Sequence, residues 1–133
     1  MKQILILKEP IGSIRKTGDL FNKIKKININ YEQENLILFT LDTKNVIINY
    51  RVIATGGLNS CICDPKTIFR YALKDNSNAI IIAHNHPSMD LKPSREDIEI
   101  FNNLKKAGEF LFLECLDSVI FNKNEYYSLR ESL

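Results

Sequence analysis

The chain has 133 residues, 44% of them hydrophobic and 26% charged, with 18 basic side chains against 16 acidic and a net charge of +2. That composition suits one soluble domain and excludes a disordered or low-complexity chain; the balanced charge argues against a dedicated nucleic-acid binder, which carries a strong basic excess. Apolar runs reach only four or five residues (Ile4–Leu7, Ala79–Ala83), against the roughly 20 that a membrane span requires, so no membrane partner is expected.

Residues 1–16 read as an N-terminal strand or arm, and 17–133 as a single domain. Within the arm, Gln3–Leu7 suits an edge strand that could pair with a partner or a second copy. Met1–Pro10 is too short and soon too charged for a secretory signal, so the chain reads as cytoplasmic. Gly12–Thr17 reads as a loop. Leu20, Phe21, Ile24 and Ile27 recur at helical spacing with lysines opposite, which predicts a helix over Thr17–Asn28 with Thr17 as its N-cap. Leu36–Leu41 and Val46–Ala54 read as strands, and the turn chemistry of Asp42–Asn45 joins them as a hairpin. Gly56 and Gly57 break the second strand. Asp64 caps a helix that begins at Pro65, ends near Asp75 and turns Ile68, Phe69, Ala72 and Leu73 inward.

Ala79–His84 is a continuous apolar strand, and a loop runs from Pro87 to Pro93. Ser94–Ala107 is predicted helical, with Ile98, Phe101 and Leu104 inward and Gly108 as its stop. Phe110–Leu116 and Ser118–Phe121 read as two strands or one bent strand, and Tyr126–Leu129 as a last short strand. The fold class is α/β, a mixed sheet flanked by helices.

The chemistry concentrates at the only two histidines, His84 and His86. Residues two apart in an extended segment project to one side, so both imidazoles can face one ion where a strand gives way to a loop. Ser94 is a natural N-cap, and Asp97 lies one turn into the helix; alone this is an ordinary capping arrangement. The seven residues between His86 and Ser94 can fold the helix start back over the strand end. Two imidazoles and a carboxylate then converge on a Zn²⁺ with an open fourth position, the arrangement that brings the pKa of a bound water to about 7.

The spacing His84-x-His86-x7-Ser94-x-x-Asp97 resembles the JAMM motif of the MPN-type metalloproteases. The longer string His84-Asn-His-Pro-Ser88, with Asp90, Pro93, Ser94 and Asp97, is similar to the bacterial RadC branch of that group. Leu41-Asp-Thr-Lys-Asn45, Asp64-Pro65, Lys105-Lys-Ala-Gly108 and Leu116-Asp117 extend the likeness over Thr17–Leu133. The resemblance implies a mixed-sheet sandwich of the cytidine-deaminase-like kind and zinc held by His84, His86 and Asp97. It also implies an oxyanion-supporting role for Ser94, and a general base at Glu34, with Glu32 one same-side step earlier as the alternative. The activity it implies is hydrolysis of a peptide or isopeptide bond in a peptide or protein substrate. Met89 departs from the glycine common in that branch, and Ser118 from a frequent histidine.

Other readings follow from other features. Lys23, Lys25, Lys26, Lys105 and Lys106 are the only basic clusters and read as solvated helix faces; a nucleic-acid partner would need them. The DNA-repair association of the RadC name rests on a helical N-terminal region for which few residues precede Thr17. A non-catalytic binding module on the same fold is a further alternative. Three cysteines, Cys61, Cys63 and Cys115, cannot all pair and read as reduced thiols in small core positions. The residue pattern of zinc deaminases, and that of His-Glu-x-x-His proteases, is absent from the sequence.

Overall fold

A run that is apolar at every position, such as Ala79–Ala83, suits a strand covered on both faces. The computed structural model, which describes residues 13–56 and 65–132, places that run at the centre of the sheet. In chain order the elements are α1 (Thr17–Ile24), β1 (Asn35–Leu41), β2 (Ile47–Thr55), α2 (Pro65–Lys74), β3 (Ala79–Asn85), α3 (Arg95–Leu111), β4 (Glu114–Phe121), β5 (Tyr126–Ser128) and α4 (Leu129–Ser132). The strands lie in the order β2-β1-β3-β4-β5. β3 pairs antiparallel with β1 and parallel with β4, and the outer pairs β1–β2 and β4–β5 are antiparallel, so the sheet is mixed as expected.

Alternation along β1 and β3 divides the core in two. Leu36, Leu38, Ile80 and Ile82 pack with Ile68, Phe69 and Ala72 of α2 and with Phe101 and Leu104 of α3. Ile37, Phe39, Leu41, Ala79, Ile81 and Ala83 pack on the other face with Leu20, Phe21 and Ile24 of α1. Each fully buried side chain of this size contributes about 1.5–3 kcal/mol relative to exposure. Arg51 of β2 adds a bidentate ion pair to Asp75 (2.6 and 2.7 Å), whose carboxylate also accepts from Thr40 Oγ1. Among the described residues no helix is long and apolar enough to cross a membrane.

A bulge in β4 changes which side chains face α1. Ile80 pairs with Cys115 but Ile81 pairs with Asp117, so Leu116 is the extra residue. Cys115 therefore joins the α2–α3 side, a buried thiol pushed up to about 12 by burial, while Asp117 crosses to the α1 side. There Asp117, 2% exposed, accepts from Thr17 Oγ1 (3.0 Å), Ser128 Oγ (2.6 Å) and the backbone N–H groups of Ser118 (2.7 Å) and Arg130 (3.0 Å). One carboxylate thus ties α1, β4, β5 and α4 together.

Several boundaries differ from the sequence reading. Thr17 is not the N-cap of α1; it is the first helical residue, buried, with its hydroxyl on Asp117, and Asp19 Oδ2 caps instead by accepting from the N–H groups of Arg15 and Lys16. The helix ends at Ile24, with Ile27 still packed on the core. Asn35 belongs to β1. Leu73 does not point inward: it is 58% exposed. Leu129 opens α4 rather than closing β5. Gln3–Leu7, Gly57, Cys61, Cys63 and the capping role of Asp64 lie outside the described residues.

The largest correction concerns Gly108. It does not stop α3, which continues through Phe110 and Leu111 to a left-handed Phe112 (φ 55°). Leu113 N–H then bonds back to the Gly108 carbonyl (2.9 Å), and β4 is a single bulged strand starting at Glu114. Gly108 is required by this return: a Cβ there would lie 2.1 Å from the Leu113 carbonyl oxygen. Alanine normally favours a helix interior over glycine by about 1 kcal/mol. Here Gly108→Ala is expected to destabilise the protein by about 1–3 kcal/mol, the usual cost of overpacking, measured by urea unfolding. A neutral or stabilising effect would contradict the close approach.

Candidate metal centre

Ile80 and Ile82 face α2 and α3, so strand alternation sends His84 to the same face, and His86 follows it just past the end of β3. His84 sits between Leu36 of β1 and Ile120 of β4 and is 4% exposed. The loop beyond it turns sharply. Met89 N–H donates to the His86 carbonyl (2.8 Å), Met89 takes φ 69°, and Asn122 Nδ2 donates to the Met89 carbonyl (3.0 Å). The chain then returns to Ser94, the N-cap of α3 with extended backbone.

The capping reading of Ser94 and Asp97 and the ligand reading hold together. Ser94 Oγ accepts the Asp97 N–H (3.0 Å), and Asp97 Oδ2 accepts the Ser94 N–H (2.8 Å). This reciprocal box turns the carboxylate back toward the strand end. Asp97 Oδ1 lies 3.1 Å from His84 Nε2, and Oδ2 lies 3.4 Å from His86 Nε2. One donor atom from each of the three residues lies within 4.8 Å of the others, so the group could hold a metal ion.

Two features fit this set to a cation. His84 Nε2 is buried and, although close to Asp97 Oδ1, is not aligned for a hydrogen bond. Leaving such an atom without a partner costs about 1–3 kcal/mol, and a lone pair directed at a cation removes that cost. His86 Nδ1 lies 2.8 Å from the Asp90 carbonyl. A carbonyl only accepts, so Nδ1 carries the proton and Nε2 presents its lone pair to the site. Two imidazole nitrogens and one carboxylate are a donor set that suits a divalent metal ion.

Charge is tuned by the same contacts. Burial opposes the Asp97 charge, but the contacts of His84 and His86 and the Ser94 N–H outweigh it and hold the carboxyl well below the usual carboxylate range. Asp97 in turn raises the His86 imidazole above its ordinary value, with burial opposing and with the Asp90 carbonyl and the Glu34 charge adding to the rise.

Leu36 opposes His84 at the end of the antiparallel β1–β3 pair, Glu34 lies two residues before Leu36, and the Glu34 charge bears on His86. The Glu34 carbonyl is held by Gly56 N–H (3.0 Å). Glu32 lies exposed in the preceding turn, its N–H on Asn30 Oδ1. Ser94 is exposed at the helix start, and because its oxygen accepts from Asp97, its hydroxyl proton is left to donate elsewhere. Two contributors escaped the sequence reading. The Asp90 carbonyl orients His86, and Asn85, between the two histidines, binds the chain that carries Glu34. The string His-Asn-His contained the second signal.

Protons compete with a cation for His86 Nε2. Because Asp97 raises that imidazole, competition persists above the ordinary pKa of about 6.5, and affinity falls roughly tenfold per unit of pH below the raised value. Zinc affinity measured by chelator competition is expected to fall as pH drops from 8 to 5, and to be at least about a hundredfold weaker in His86→Ala and Asp97→Ala, since even an outer hydrogen-bond partner is worth about 10–100-fold. A flat pH profile, or unchanged affinity in His86→Ala, would remove His86 from the ligand set. Met89 holds a left-handed conformation that costs a non-glycine residue about 1–2 kcal/mol, partly offset by the greater chain entropy glycine brings to the unfolded state. Met89→Gly is therefore expected to stabilise the protein by about 0.5–1 kcal/mol in thermal or urea unfolding; a loss of stability would mean that Met89 packing outweighs its strain.

Comparison with known proteins agrees with this geometry. A family model described as the RadC-like JAB domain matches residues 14–133. A UPF0758 protein of Chlorobium chlorochromatii is 40% identical over 121 residues, which are 91% of this chain and 54% of that protein. A UPF0758 protein of Clostridium perfringens is 50% identical over 99 residues, 74% of this chain and 44% of that protein. The chain spans about half the length of these relatives. With the match covering all but the first residues, the fold mixed as expected and the two histidines and the aspartate brought together, the chain belongs to the RadC-like JAB domain family.

Proposed function

We propose that the chain is a zinc-dependent hydrolase that cleaves a peptide or isopeptide bond in a peptide or protein substrate. The observation that carries this reading is the convergence of His84, His86 and Asp97 into a group that could hold a metal ion, and the nearness of Glu34, two residues before the partner of His84, supports it. Zinc held by three protein ligands acidifies a water and polarises a carbonyl oxygen at its open position.

The chain's own residues divide the remaining work. His84, His86 and Asp97 hold the ion, and the Asp90 carbonyl keeps His86 in the tautomer that binds. Glu34 accepts the proton lost by the attacking water and delivers it to the departing amine. Ser94, its oxygen engaged by Asp97, donates its hydroxyl proton to the carbonyl oxygen as negative charge develops there. The lysines support no competing nucleic-acid reading. Lys25, just past the end of α1, lies over the Phe21 ring (4.9 Å), and Lys105 of α3 lies over the Phe101 ring (4.8 Å), with α1 and α3 covering opposite faces of the sheet.

The test is Glu34→Gln assayed with zinc-loaded protein against varied peptides and isopeptide-linked substrates. Zinc affinity is expected to persist while turnover falls by about 10²–10⁴-fold, the usual worth of a general base. Full turnover in Glu34→Gln would overturn the base assignment. Zinc-loaded wild-type protein without hydrolysis of any such substrate would overturn the hydrolase reading in favour of a binding module.

A further inference from the structure

β1 and β3 are buried on both faces, and their ladder ends at the pair Leu36–His84. Beyond that pair the chains carry the most consequential residues, Glu34 on one side and His86 on the other. Their connection there is made by a side chain. Asn85, 0% exposed, points to the face opposite the histidines, as alternation requires. Its Oδ1 accepts the backbone N–H of Asn35 (2.8 Å) and Asn35 Nδ2 (3.2 Å). Its Nδ2 donates to the Gln33 carbonyl (3.0 Å) and reaches the Tyr31 carbonyl (3.5 Å). A backbone N–H can only donate, so the contact with Asn35 fixes which end of the amide is oxygen.

Asn35 completes the clamp. Buried at 2% exposure, its Nδ2 also donates to the carbonyls of Asn30 (2.9 Å) and Gln33 (3.1 Å). The backbone on both sides of Glu34 is thereby tied to the residue between the two histidine ligands. A hydroxyl has a single proton to donate and could not serve the carbonyls of residues 31 and 33 together, and an apolar side chain could neither accept nor donate. A carboxylate could not donate.

We propose that Asn85 is a positioning residue for Glu34: its side-chain amide bridges the end of β3 to the 31–35 backbone from behind the sheet and sets the Glu34 carboxylate beside the metal centre. The proposal rests on the reading of Glu34 as the general base. Buried hydrogen bonds of this kind hold geometry tightly because leaving either end unpaired is costly. A shift of the carboxylate by about 1 Å is enough to impair catalysis on the order of a hundredfold.

The experiment uses protein loaded with Co²⁺ and follows the pH midpoint of its visible absorption bands in wild type, Glu34→Gln, Asn85→Ala and the double variant. Removing the Glu34 charge beside the ion is expected to lower that midpoint by at least about half a pH unit, because a nearby anion opposes loss of a proton. Asn85→Ala is expected to shift the midpoint in the same direction with Co²⁺ affinity unchanged, and to add nothing in the Glu34→Gln background. Asn35→Ala reads the same clamp from its other end if Asn85→Ala does not fold. Gly108→Ala, a remote destabilising change, is expected to leave the midpoint in place. A shift in Glu34→Gln without one in Asn85→Ala or Asn35→Ala would overturn the positioning role. An equal shift in Gly108→Ala would reduce it to general destabilisation. No shift in Glu34→Gln itself would overturn the reading of Glu34 on which the proposal rests.

Discussion

The register between β1 and β3 is the constraint on which the site depends. Leu36 lies opposite His84 at the end of the ladder, with Asn35 beside Asn85 and Glu34 next in the chain. A slip of one residue would turn a strand's side chains to the other face. Both strands are buried on both faces, so a polar–apolar alternation does not specify this register as it would in a half-exposed sheet. Polar contacts at the two ends do so instead. Asn78 N–H bonds to the Leu41 carbonyl (2.8 Å) at one end, and Asn35 N–H bonds to Asn85 Oδ1 (2.8 Å) at the other. Between them the side chains need only fit by volume.

The second part of the centre costs the fold little, because it coincides with the start of a helix. Ser94 and Asp97 satisfy each other's N–H groups as any capping box does, and an acid in the first turn is favoured by the helix dipole. The carboxylate is therefore oriented without an ion, and the Ser94 N–H offsets part of its desolvation. A ligand held in advance loses less freedom on binding, which is the advantage of building a site on rigid elements.

How much of this was legible in the sequence depends on the range over which each feature is decided. The pairing of His84 with His86 is local: a two-residue period in an apolar strand puts both on one face, as observed. The Ser94–Asp97 spacing is local too, though its convergence with the histidines depended on the loop, where Met89 accepts a strained left-handed turn. The errors are long-range. Thr17 has the chemistry of an N-cap, but its hydroxyl is taken by Asp117, remote in the chain. Gly108 has the look of a helix stop, but it is there because Leu113 folds against it. The bulge at Leu116, which puts Cys115 and Asp117 on opposite faces, leaves no mark in a pattern of apolar residues. Glu34 and Glu32 are same-side neighbours that only pairing with β3 can tell apart.

The two faces of the sheet also treat buried polar groups differently. On the α1 side, Asp117 and Asn85 are supplied with partners from several elements at once, and each fixes backbone that is distant in sequence. On the α2–α3 side, His84 Nε2 and Ser118 Oγ are the described buried side-chain atoms without a hydrogen-bond partner. Ser118 lies beside Ile82, one same-face step below Ile120, the neighbour of His84. Folded proteins rarely leave such atoms unpaired, and where they do the exception calls for a ligand or a function. Behind the sheet the satisfied groups hold register and connections, and in front of it Thr40 is satisfied by Asp75. The unsatisfied ones lie in front, where His84 faces the candidate centre. Both unsatisfied atoms thus lie on the face that carries the candidate centre.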